Sequence, residues 1–433
     1  MKILLVSPLF PPQGSGAEIS TMLECEDLIK KGVEVILITN NYLTLNKDGE
    51  WMKRLKVYQV PMVFTSFIYP RAKPFGEFMY WFLQGASWKY IQKVASKENA
   101  DLIHVEHAYI GFKKGVLIPV ILTIRDYWPI CVYRTLMDGE GTCCAHSTFM
   151  GGFPCRRSTY LKYGITKLPH LLYNIYFNPV LYCMNNRLYS IIRRKIKEID
   201  QIIAISNFVK EVISSNLGLS SETIEVIHPP ILEKPYIPKS RHFEEITFTY
   251  IGALEVHKGI MNLIRAFHKV IKKNNAVKLL ICGAGSLEPH IKGYISRNGL
   301  TKYIRFLGKV NYKGIHQVYE ETDIVVVPSL WPEPFGRVAI DSLIAGKPVI
   351  VNPVGGLKEQ VEDGVSGFYV NCYKIDELTE KILEVASLPR QELEEVGIKA
   401  RQYALKKFNP EKRINRLISI YNKVLENYKE GVQ

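Results

Sequence analysis

Along this chain, short and nearly unbroken apolar runs alternate with longer stretches in which apolar residues return every three or four positions. The first run, Lys2–Ser7, reads as a buried parallel strand. A turn containing Gly14, Ser15 and Gly16 follows, then a helix-like stretch from about Ala17 to Lys31 that Gly32 stops. Val33–Thr39 is the next strand, which completes one βαβ unit of a doubly wound sheet. Asp101–Val105, Val120–Ile124 and Gln201–Ile205 predict further strands.

Ile231–Arg241, with Pro235 and Pro238 among polar residues, reads as a linker, after which the pattern restarts. Strands are expected at Thr247–Ile251, Lys278–Cys282, Tyr303–Phe306, Ile324–Val327 and Pro348–Val351, with a helix at Gly259–Lys272. The last segment, about Glu411 to Glu430, carries Ile414, Leu417, Ile418, Tyr421, Leu425 and Tyr428 on one apolar stripe. At 433 residues the chain exceeds what one core usually organises. The expectation is an α/β protein with two Rossmann-like domains, 1–231 and 232–410, and a terminal helix, 411–433. Ligands would then bind at strand C-terminal ends, in a cleft between the halves.

Composition, 47% hydrophobic and 23% charged, excludes a disordered chain. A net charge of +14 favours anionic partners. The opening apolar run is too short for a signal peptide and is broken by Pro8, Pro11 and Pro12. No run approaches the roughly 18 to 20 apolar residues of a membrane span. A cytoplasmic protein is expected, with peripheral contact on a membrane face left open. Arg156–Lys197 bears on that contact: it holds nine Lys or Arg, seven Tyr or Phe and no acid, as an interfacial element would, or a solvated insertion. Eight cysteines in this length do not suggest a disulfide scaffold. Cys131, Cys143, Cys144 and Cys155 leave zinc binding open, but their spacing is not a standard finger and ordinary thiols are the simpler reading.

Candidate chemistry centres on Pro328–Asp341. A strand ends, a Pro-rich loop presents Glu333, and a helix begins near Phe335 or Gly336, where free backbone amides suit a diphosphate. Asp341 follows Glu333 by eight positions, roughly two helical turns. An acidic cap and a solvated aspartate would be the plain alternative. Three more loops follow strands: Gly252–Gly259 with Lys258, Gly283-Ala284-Gly285-Ser286, and Gly355-Gly356-Leu357-Lys358-Glu359. Each alone is an ordinary turn. Four at the same end of one inferred sheet make an anion-binding rim.

In the order and spacing of these motifs the second half resembles the donor-binding domain of the GT4 family of retaining glycosyltransferases, and Gly16 and Ser206 agree with the first half. The resemblance implies the GT-B fold: two Rossmann-like domains facing across a cleft, with the terminal helix crossing back to the N-terminal domain. It implies that Glu333 contacts the transferred sugar, Asp341 the ribose, and Lys258 the diphosphate. Gly16, Gly252, Gly283, Gly285, Pro334, Phe335, Gly336 and Arg337 complete the donor side, and Glu359 is a usual acid after paired glycines. Three positions depart from the family: Asp341 replaces a glutamate, Ala253 an arginine, and Arg125 a histidine that faces the sugar. Arg125 and its neighbour Asp126 therefore join Glu333 and Lys258 as catalytic candidates, with Arg337 or Arg125 standing in for the missing cation.

The chemistry implied is retaining hexosyl transfer from a nucleotide-diphosphate sugar to a polysaccharide, glycolipid or lipid-linked acceptor. Negative charge grows on the departing diphosphate and positive charge on the sugar. Lys258, Arg337 and helix amides would stabilise the leaving group, so no metal and no other cofactor is expected. His107 is an acceptor-side candidate, whereas His104 reads as structural. Two other readings stay open: a nucleotide-sugar epimerase on the same scaffold, and a basic nucleic-acid-binding protein, which leaves the ordered glycine loops unexplained. No nucleic-acid partner is expected.

Overall fold

The computed structural model describes residues 1–7, 9–11, 16–39, 50–59, 87–106, 118–131, 136, 190–191, 193–231, 245–311 and 314–432. They form two compact units, one running to Pro230 and resuming at Glu411, the other from Ile231 to Pro410.

In the first unit, seven parallel strands are ordered β3-β2-β1-β4-β5-β6-β7. They are β1 Lys2–Val6, β2 Glu34–Thr39, β3 Lys56–Gln59, β4 Leu102–Glu106, β5 Val120–Ile124, β6 Gln201–Ala204 and β7 Ile224–Val226. Ile3 pairs with Val35 on one side and Leu102 on the other, which makes β1 a central strand. Every residue of β4 and β5 is buried, as a parallel strand covered on both faces requires. The chain reverses its direction of travel across the sheet between β1 and β4.

The second unit repeats this plan with six parallel strands, β10-β9-β8-β11-β12-β13. They are β8 Ile246–Ile251, β9 Val277–Cys282, β10 Ile304–Gly308, β11 Ile324–Val327, β12 Val349–Val351 and β13 Gly367–Tyr369. The helix Ile260–Lys273 buries Ile260, Leu263, Ile264, Phe267 and Val270 against this sheet, while Arg265 and Lys269 face solvent. The switch in direction lies between β8 and β11. Because all strands run parallel, the loops after β8, β9, β11 and β12 emerge along one edge.

The terminal helix, Pro410–Val432, closes the core of the first unit. Ile414, Leu417, Ile420, Tyr421 and Val424 are buried there, with Ile418 and Leu425 at the margin. The sequence stripe is thus corrected: Ile420 and Val424 replace Tyr428, because the helical repeat of about 3.6 residues carries the buried line through both. The helix also brings polar groups inside. Arg413 pairs with Glu24 and donates to the His228 carbonyl at 2.8 Å. The Tyr421 hydroxyl meets His104 Nδ1 at 2.7 Å, and Thr123 Oγ1 meets its Nε2 at 2.7 Å. Burial pushes His104 down to about 4, so its ring is neutral at physiological pH. Burial would raise Glu24, but Arg413, His104 and Arg125 outweigh it and hold its carboxyl below the ordinary value.

Replacing Arg413 by Leu is expected to destabilise the first unit by about 3–5 kcal/mol, since it strands a buried carboxylate. Glu24 has a depressed folded pKa, so its contribution is present above the ordinary 4.5 and is lost as pH falls through the folded value. The stability gap between parent and variant, measured by urea denaturation, should therefore narrow on acidification. A gap independent of pH would remove the charge argument.

Candidate active site

At the switch point of the second sheet, the loop after β8 tightens into the 3-10 turn Val256–Lys258 and ends on Gly259. The Pro-rich loop after β11 runs beside it. Leu330 N donates to the His257 carbonyl at 2.9 Å, which zips the two loops together. Gly259 has φ 72°, and a Cβ there would lie 1.9 Å from the Pro328 carbonyl oxygen. Only glycine permits both the left-handed turn and this approach. The result is that Lys258 Nζ donates to Glu333 Oε1 at 2.7 Å.

Glu333 is held from several sides. Ser329 Oγ donates to the same oxygen at 2.6 Å, and the Gly356 amide donates to the Glu333 carbonyl at 2.7 Å. The side chain of Glu333 is 9% exposed and that of Lys258 23%, so the cation is the more open partner. Burial would raise the Glu333 carboxyl, but the Lys258 charge and the hydrogen bonds from Lys258 and Ser329 outweigh it. The net shift is below the ordinary carboxylate value, and Glu333 is ionised at neutral pH.

The other predicted donor-side residues line the same sheet edge. Gly252 and Gly283 end β8 and β9 in close contact, with Gly252 N bonded to Cys282 O at 3.0 Å and Gly283 N to Gly308 O at 2.8 Å. Gly285 packs on the Leu254 backbone, and Glu255 ties that loop down by accepting from Ser286 N and Oγ at 2.9 and 2.6 Å. Pro334 is buried, and Phe335 is buried edge-on to Phe408 with ring centroids 5.8 Å apart. Gly336, at φ 93°, turns the chain into the helix Arg337–Ile344. The helix starts at Arg337, later than expected, so Asp341 lies one turn inside it. Arg337 Nε pairs with Asp341 Oδ2 at 3.1 Å. Burial raises Asp341 above its ordinary value, with Arg337 opposing the shift in part. Both groups read from sequence as separate ligand contacts are therefore partners of each other.

In the first unit, Gly16 opens the helix Gly16–Lys30, and its carbonyl accepts from Ser20 Oγ at 2.8 Å. Ser206 caps the helix Asn207–Leu217 by accepting from Val209 N at 3.1 Å. Arg125 is buried and paired with Glu106, whereas Asp126 accepts from Trp128 N at 2.8 Å within its own turn. Cys131 is a buried free thiol. His107, Cys143, Cys144, Cys155 and most of Arg156–Lys197 lie outside the described residues, as does nearly all of the linker. Glu24, His104 and Glu106 place three ligand-type atoms within 4.8 Å of one another. Arg125 and Arg413 already neutralise the two carboxylates, and both His104 nitrogens are occupied, so a cation has little to gain there. No helix among the described residues is long and apolar enough to cross a membrane.

Sequence reasoning missed Ser329, Trp331, Asn352 and Glu106. The first two stood inside the quoted motif, and only the fold shows that Ser329 reaches Glu333. Asn352, just after β12, bonds the Ser329 carbonyl at 2.8 Å.

Two doubly wound sheets, the second carrying a lysine–glutamate pair at its switch point, define a GT-B architecture, and solved structures agree. Sucrose-phosphate synthase of Thermosynechococcus elongatus superimposes with a TM-score of 0.71 at 18% identity, over 98% of this chain and 99% of that one. Anabaena HepE in complex with UDP-glucose gives 0.62 at 16% identity, over 98% and 100%. The sequence is more particular. Residues 14–232 match the model "Glycosyltransferase Family 4", and residues 234–403 match "Glycosyl transferases group 1". The chain belongs to glycosyltransferase family 4. An uncharacterized glycosyltransferase of Methanocaldococcus jannaschii is 33% identical over 183 residues, 39% of this chain and 46% of that protein. The chain spans about half the length of the curated relatives it matches first.

Gly259→Ala forces a methyl group against the Pro328 carbonyl in a left-handed turn. We expect a loss of about 1–3 kcal/mol in the second unit, read as a lower denaturation midpoint. A variant as stable as the parent would contradict the close approach of the two loops.

Proposed function

We propose that this protein transfers a glycosyl group from a nucleotide-diphosphate sugar to a glycan or lipid-linked acceptor with retention of anomeric configuration. The observation that carries this reading is the 2.7 Å Lys258–Glu333 pair at the switch point of a parallel sheet. Family membership supports it, and so does the UDP-glucose bound to the structurally similar HepE. Lys258 and the amides at the start of the helix Arg337–Ile344 take the diphosphate. Glu333, ionised and rich in hydrogen-bond acceptors, takes sugar hydroxyls and opposes the positive charge that builds on the ring. An ionised carboxylate has no proton to give, so the leaving group is stabilised by Lys258 and the amides. The acceptor hydroxyl oxygen bonds to the anomeric carbon as the bond to the diphosphate breaks, and its proton passes to the departing diphosphate. The site of action we assign is the cytoplasmic side of polysaccharide or glycolipid assembly, and the net charge of +14 suits contact with an anionic membrane face.

Titration with UDP-, GDP- and ADP-sugars should identify one donor that binds and turns over. Glu333→Gln is expected to keep donor binding within a few-fold while suppressing turnover by about a hundredfold or more. Lys258→Ala should weaken nucleotide diphosphate binding by roughly ten- to a hundredfold, the value of a charge-assisted hydrogen bond. Unchanged turnover in Glu333→Gln would contradict the role of Glu333, and an unaltered affinity in Lys258→Ala would remove Lys258 from the site.

A further inference from the structure

Lys258 has a second neighbour. Its ammonium sits 4.7 Å from the centroid of the Trp331 ring, within cation–π range. That ring is itself fixed, packing edge-on against His257 with centroids 5.3 Å apart. His257 belongs to the same turn as Lys258, and Trp331 N donates to its carbonyl at 3.3 Å.

The pair needs such a neighbour if it is to open. A diphosphate that draws Lys258 away removes the closest positive charge from a carboxylate that is only 9% exposed. A buried carboxylate without its cation tends to take up a proton. Resting on our reading of the site as a nucleotide-sugar site, we propose that Trp331 is the positioning residue of this pair. Its ring face supports the ammonium while Lys258 exchanges Glu333 for the diphosphate, so that the cation stays beside the carboxylate, which Ser329 Oγ continues to serve. The ring suits this work because it attracts a cation without competing for it as an anion would. Neighbouring charges on these loops are otherwise engaged: Glu255 is occupied by Ser286, and Arg337 is turned to Asp341.

The test is calorimetry of UDP, GDP and ADP binding in buffers of different ionisation enthalpy, which counts protons taken up on binding, followed by donor kinetics. The parent is expected to bind one diphosphate with no net proton uptake at neutral pH. Trp331→Leu should weaken that binding roughly five- to thirtyfold and make it take up a fraction of a proton. Trp331→Phe keeps a ring face beside Lys258, so affinity should be largely restored and the proton uptake should fall away with it. Adding Glu333→Gln to Trp331→Leu should abolish the uptake, since the carboxyl is gone. A Trp331→Leu variant that binds as tightly as the parent, or more weakly with no proton uptake, would overturn the proposal. If Trp331→Leu does not fold, Trp331→Met takes its place, and parent-like binding in that variant overturns the role of the ring. A parent that binds none of the three diphosphates defeats the reading of the site instead.

Discussion

The second unit is organised around one requirement, that a nearly buried carboxylate on one loop meet an ammonium on another. Glu333 pays for burial unless Lys258 and Ser329 are within hydrogen-bond distance. Both contacts depend on loops that leave adjacent strands, β8 and β11, at the same edge. A parallel sheet provides that shared edge, and its switch point supplies the gap where the two loops diverge. The glycines follow from the same need. Gly259 lets one loop lie on the Pro328 carbonyl, and Gly355, at φ 59°, lets the next loop lie on the Glu333 backbone. The motif glycines are thus the means by which the charges are brought together.

The two units use ion pairs in opposite ways. Arg125 and Glu106 are 4% and 0% exposed, and around them Glu24, Arg413, His104, Tyr421 and Thr123 occupy one another. Opening that cluster would strand several charges in the interior, so it works as a closed anchor for the terminal helix. Lys258 is open to solvent on one side and its carboxylate has a second donor in Ser329. The cost of separating this pair is far smaller. Burial and partner number, more than charge type, divide the scaffold from the site.

The same physics explains what could be read from the sequence. Central strands such as β1, β4, β5, β9 and β11 are covered on both faces, and their unbroken apolar runs marked them within a residue or so. The strands that went unread, β3, β7 and β13, lie at sheet edges and are short and half-buried. Their residues need not be apolar on both faces, so periodicity carries little signal. The site was legible as a coincidence of glycine loops after strands, because that pattern is local. The Arg337–Asp341 pairing and the burial of Arg125 against Glu106 depend on side-chain directions and on partners distant in sequence. A family pattern names such residues without saying what they touch.

A resting pair also changes what ligand binding means at this site. A lone lysine facing a diphosphate would gain the whole attraction, but it would hold any anion. Lys258 already has a carboxylate at 2.7 Å, so an incoming anion gains only the difference between two partners. A simple phosphate offers a new acceptor to Lys258 but leaves Glu333 with an unfavourable buried charge. A ligand that carries hydroxyls beside its diphosphate satisfies both halves of the broken pair. On the function proposed, selectivity for a sugar joined to a diphosphate then follows from the electrostatics of the Lys258–Glu333 pair, before any contact that recognises the identity of the sugar.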